Sequence, residues 1–113
     1  MNREELERLF RRKIRAEMAE YRRYMQKKSK KELFDAAPEI ESIRRIYGLC
    51  LGNLGGYAEG TLEDLLVYPN LLLFFYRKWL GRGHSAQEEL SACMEEELRN
   101  LENRRQERKE RSA

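Results

Sequence analysis

The chain has 113 residues, 38% of them charged, with 23 Lys/Arg against 20 Asp/Glu and a net charge of +3. That length makes one domain, able to bury a single core without a metal or a disulfide. No apolar run approaches the roughly 20 residues of a membrane helix, and one histidine with two cysteines falls short of the about four ligands of a zinc site.

Asn2-Arg3-Glu4-Glu5 reads as a helix start, with Asn2 as cap and Glu5 at the reciprocal position of a capping box. Leu6, Phe10, Ile14, Met18, Tyr21 and Met25 then recur at steps of four and three, which predicts one apolar stripe on a helix of about seven turns. Arg8, Arg11, Arg12, Arg15, Arg22 and Arg23 fall mainly off that stripe. They form either a phosphate-binding face or a solvated one. Residues 1–31 hold twelve Lys/Arg and five Asp/Glu, a net +7; residues 32–96 hold five and eleven, a net −6; residues 97–113 hold six and four, a net +2. A basic opening on an acidic body points to acidic partners, nucleic acid or protein, or to internal pairing.

Ser29 with Glu32 is a second capping box. The stripe Leu33, Ala37, Ile40, Ile43 or Arg44, Tyr47 and Cys50 follows, interrupted by Pro38, where a kink or a break is expected. Gly52-Asn53-Leu54-Gly55-Gly56 reads as a loop; no Gly-Lys-Ser/Thr follows, so it is not a phosphate loop. Thr61 is expected to cap a short helix that turns Leu62, Leu65 and Leu66 inward, with Glu63 and Asp64 in its first turn.

Leu71–Leu80 is the most apolar run of the chain. It lacks β-branched residues, and it is read as a central helix around which the others pack. Gly81 can take a left-handed terminal position, and Ser85 with Glu88 is a third capping box. Leu90, Cys93 or Met94, Glu97 or Leu98, and Leu101 give the last stripe. The fold expected is all-α: a compact bundle of about four to five helices in one domain over residues 1–103, with residues 104–113 as a charged, frayed tail.

Catalytic chemistry finds little support. His84 sits in a Gly-rich connection without an acid placed to form a dyad, and consecutive Glu95, Glu96 and Glu97 diverge by about 100° each on a helix. No catalytic residue, metal or cofactor is expected. Cys50 and Cys93 read as buried reduced thiols, and no signal-peptide pattern opens the chain. Phe74, Phe75, Tyr76 and Trp79 cannot all point inward from one helix; either some stand exposed beside Arg77 and Lys78 as interface anchors, or neighbouring helices cover all four, which is the reading favoured.

Three stretches carry a resemblance. They are Glu17-Met18-Ala19-Glu20-Tyr21 with Tyr24-Met25; Ser29 through Ala37; and Leu65-Leu66-Val67-Tyr68-Pro69-Asn70-Leu71 running on to Tyr76 and Trp79. Together they are similar to a family of small uncharacterised helical proteins from phages and mobile elements of Firmicutes. That family shares an opening helix with an acidic-aromatic pattern and a Leu-Leu-x-x-Pro-x-x-Leu corner. Pro38 and the Gly52–Gly56 loop depart from the pattern. The resemblance implies a bacterial cytoplasm and transfers no activity.

The function expected from these readings is a non-enzymatic protein-interaction module, an anti-CRISPR-like inhibitor of a host defence nuclease. Its partner would be a host protein or nucleoprotein complex, with no membrane. The alternative is a weakly sequence-specific nucleic-acid-binding protein using the basic first helix; an obligate oligomer is a third reading. The residues expected at the interface are Arg11, Arg12, Arg15, Arg22, Arg23, Lys27, Lys30, Lys31, Tyr76, Arg77 and Trp79. Groove mimicry would instead use Glu59, Glu63, Asp64, Glu88, Glu89, Glu95 and Glu96.

Overall fold

A computed structural model describes residues 1–81 and 87–112, the last with the backbone alone, as for 87–89. The described residues form six α-helices and no strand: α1 Arg3–Gln26, α2 Lys30–Asp35, α3 Ala37–Gly52, α4 Glu59–Leu66, α5 Leu71–Leu80 and α6 Gln87–Ser112, with a 3-10 turn at Leu54–Gly56 after α3. The all-α bundle is the fold expected.

Helix α1 starts where the sequence places it, with Asn2 accepting from the Glu5 amide at 2.8 Å. Its buried residues are Leu6, Phe10, Ile14, Met18 and Met25, together with one charged side chain, Glu17. The chain breaks at Ala36, so Pro38 falls in the first turn of α3, where the donor it lacks is not needed. The second capping box is complete: Ser29 accepts from the Glu32 amide, and Glu32 accepts from that of Ser29. Ser42, Ile43, Ile46 and Cys50 turn inward on α3.

Helix α5 packs against α1, α3 and α6, the three longest helices, which sheathe it as expected. It buries Leu71, Leu72, Phe75 and Trp79, while Arg77, Lys78 and Leu80 reach solvent. Gly81 ends it with φ −61°, in the right-handed region rather than the left-handed one. Two further expectations are corrected. Helix α4 begins at Glu59 behind Ala58, without a side-chain cap, and Thr61 is buried inside it. The segment expected to fray from residue 104 is helical to Ser112.

That last helix is held by charge where its apolar stripe stops at Leu101. Arg105 donates to the Gly60 carbonyl at 3.1 Å, to Asp64 at 3.0 Å and to Glu63 at 3.1 Å. The hydrogen bond to Glu63, followed by the nearby charge of Asp64, raises the Arg105 pKa further. Gly60 is what lets the guanidinium approach, since a Cβ there would lie 2.6 Å from Arg105 Nε.

Glu17 fixes the entry of α5. Its Oε1 accepts from the Leu72 amide at 3.0 Å, inside the positive first turn of that helix. Asn70, the cap of α5, accepts from Leu73 at 3.2 Å. Glu17 Oε2 lies 3.0 Å from Lys13 Nζ, an ion pair whose geometry is not that of a hydrogen bond. Lys13 in turn donates to the Tyr68 carbonyl. The Tyr68-Pro69-Asn70 corner is thus clamped to α1 from both sides.

Two expected outcomes test this account. Glu17→Ala removes the partner of the half-buried Lys13 ammonium and leaves a buried helix-terminal amide unpaired, so urea denaturation should show a loss of about 3 kcal/mol, while Glu20→Ala, at an exposed position, should stay within about 0.5 kcal/mol. Gly60→Ala should leave global stability within about 1 kcal/mol, because the helix-propensity gain offsets the displaced Arg105. Amide exchange over residues 104–111 should nevertheless accelerate.

Candidate functional site

The stripe that drives α1 into the core leaves its other side to cations. On a helical projection Arg8, Arg12, Arg15 and Arg23 lie within about 60° of the direction opposite the buried stripe, with Arg11 and Arg22 on one flank. All six are exposed, as are Lys27, Lys30 and Lys31 at the junction with α2. The small side chains of Ala16 and Ala19, also exposed, lie between the arginines.

Little inside the protein neutralises this ridge. Arg11 reaches Glu7 at 3.7 Å, a long surface pair. Arg8, Arg12, Arg15, Arg22, Arg23, Lys27, Lys30 and Lys31 have no ion pair or hydrogen-bond partner among the described residues. Between residues 8 and 31 Glu20 is the one exposed acid, because Glu17 is turned inward against Lys13. Nine exposed cations against one exposed acid run from Arg8 to Lys31, with the arginines spread over about 23 Å of α1. In water such like charges repel, and a polyanion that neutralises them releases that repulsion.

The other expected site residues separate from this ridge. Trp79 is 9% exposed and belongs to the core, so it is unavailable as an anchor. Its ring must fill the space between α5 and its neighbours, and its Nε1 is buried without a hydrogen-bond partner. Tyr76 is half-buried; desolvation, followed by the charge of Glu39, raises its pKa. Arg77 is exposed, but on α5, which packs on the inner face of α1. Of the acids expected for groove mimicry, Glu59, Glu95 and Glu96 are exposed. Glu63 and Asp64 are occupied by Arg105, with Arg108 3.5 Å from Asp64, and the side chains of Glu88 and Glu89 lie outside the described residues.

The aromatics that do reach solvent are ones the sequence reading passed over. Phe34 is 82% exposed and Tyr24 60%. The signal for Phe34 was available: it follows Leu33, and two consecutive helical residues point about 100° apart, so one core face cannot take both. Lys28 sits 4.7 Å above the Tyr24 ring.

Nucleophilic chemistry gains nothing from the structure. His84 lies outside the described residues. Cys50 and Cys93 are buried and form no disulfide, and burial, then the charge of Glu17, pushes Cys50 up to about 12. Tyr21 donates to Glu39 at 2.9 Å, and desolvation followed by that bond raises its pKa. Among the described residues no three His, Cys, Asp or Glu side chains are grouped to hold a metal, and no helix is long and apolar enough to cross a membrane. A cleft of about 480 Å³ between the 3-10 turn and α6 is lined by Asn53, Tyr57, Thr61, Glu95, Arg99 and Glu102; it contains no thiol or imidazole among these polar groups.

Comparison of the chain with protein-family models, with curated proteins and with solved structures finds no match.

The thiols give a direct check of the packing. At pH 8 an aromatic disulfide reagent should label neither cysteine of the folded protein within minutes, and both at once in denaturant. The raised Cys50 contributes stability that is full below its ordinary 9.0 and lost as pH rises toward about 12. Thermal melts should therefore hold level to about pH 8.5 and fall above it, and Cys50→Ala should flatten part of that fall.

Proposed function

We propose that this chain is a non-enzymatic nucleic-acid-binding protein that works through the basic ridge of α1, meeting the phosphate backbone with little sequence preference. The observation that carries the reading is the set of exposed, unpaired arginines along one helix with a single exposed acid among them. Arginine presents a planar fork of donors that suits phosphate oxygens. The centre of the ridge has no aromatic side chain, whereas the centre of a protein interface is enriched in aromatics and depleted of charge. Burial of Trp79 removes the strongest anchor from the protein-docking alternative. Ala16 and Ala19 keep the middle of the ridge low, so that the flanking guanidiniums can reach phosphates on either side of the helix axis.

A second reading is supported by the resemblance to phage and mobile-element proteins. A host defence nuclease working with a guide or target strand is a nucleoprotein, and its exposed phosphates offer the same ridge a surface. The chain would then inhibit by covering that strand. Cleavage of target DNA by such a nuclease, unchanged by a large molar excess of the chain, would eliminate this second reading.

The primary reading is tested by titrating a short duplex and a single strand of the same length at two salt concentrations. With about five phosphates engaged, duplex affinity should fall roughly 500-fold between about 50 and 200 mM salt. Each of Arg12→Ala, Arg15→Ala and Arg23→Ala should lower the salt slope by about one, uniformly across sequences. Negligible binding of either nucleic acid at low salt would overturn it.

A further inference from the structure

At the end of the ridge the surface changes character. Helix α2 has no buried residue, and Phe34, the most exposed large apolar side chain of the protein, stands on it. Lys30 precedes Phe34 by four residues and so lies beneath it on one face, about 40° away in projection, while Lys31 lies about 60° to the other side. Of the acids of this short helix, Asp35 is exposed on the Lys31 side, four residues beyond that lysine. Asp35 is about 100° from Phe34, and Glu32 is folded back on the Ser29 amide by its capping box.

An exposed phenyl ring between two lysines, following the arginine ridge in the chain, combines the two elements that bind single strands: charge that tracks the backbone and an aromatic face on which a base stacks. Charge complementarity selects the occupant. A protein docking on Phe34 would have to bury Lys30 and Lys31 with it, at a desolvation cost, whereas a nucleotide brings its own phosphates to them. We infer that Phe34, flanked by Lys30 and Lys31, is a stacking platform for an unpaired base, and that the protein prefers single-stranded or frayed nucleic acid to a closed duplex. The inference rests on the reading of α1 as a phosphate-binding ridge.

The test compares wild type, Phe34→Ala and F34W on an oligothymidylate, a blunt duplex and inorganic polyphosphate. No packing is lost on α2, so both variants should melt like wild type. Wild type should bind the single strand more tightly than the duplex of equal length, and Phe34→Ala should weaken the single strand about five- to a hundred-fold while leaving duplex, polyphosphate and the salt slope unchanged. F34W emission should be quenched by oligothymidylate and unaffected by polyphosphate. If polyphosphate and DNA bind but Phe34→Ala matches wild type on every ligand, or F34W is not quenched, the platform is overturned while the ridge stands. If no polyanion binds at low salt, ridge and platform fall together.

Discussion

The buried carboxylate of Glu17 governs how this protein is assembled. It lies on the apolar stripe of α1, yet it is charged, and burial of a lone charge would be costly. Three arrangements make it tolerable: the Leu72 amide at 3.0 Å, the positive end of α5, and Lys13 at 3.0 Å. Because those partners come from two helices and the corner between them, the same contact sets where the central apolar helix enters the bundle. Lys13 extends the network to the Tyr68 carbonyl, so the Pro69 corner cannot swing without breaking it.

The outward chemistry follows from this inward one. Buried Glu17 pairs with half-buried Lys13, and Glu63 and Asp64 hold the far end of α6 through Arg105. The acids that could have quenched the basic helix are thereby engaged in holding elements together. What remains exposed between Arg8 and Lys31 is a row of cations with Glu20 as its one exposed acid, and the mutual repulsion of those cations is relieved when a polyanion arrives.

Helices were legible in the sequence wherever local rules and burial agree. The decapeptide Leu71–Leu80 forms a helix over the stated span, and the break near Pro38 and the Ser29 capping box both form. The errors arose where a tertiary contact overrides a local signal. Thr61 looks like a cap, but Leu62 and Leu65 draw it inside the helix. Residues beyond Leu101 have no apolar anchor, and only the distant Gly60 shows why Arg105 can hold them. Glu17 could have been found: it falls between Ile14 and Met18 on the stripe. Its partner, an amide 55 residues away, could not. The arginines of the ridge were legible because they stand opposite the stripe, whereas the burial of Trp79 and the exposure of Phe34 depend on which neighbours arrive.

Backbone-resolved NMR during titration with a short single strand tests the central claim most directly. The account expects shifts concentrated between Arg8 and Phe34, on residues facing away from the stripe, that diminish with added salt. Shifts centred instead on α4 and α6, or a spectrum that does not move at low salt, would contradict it.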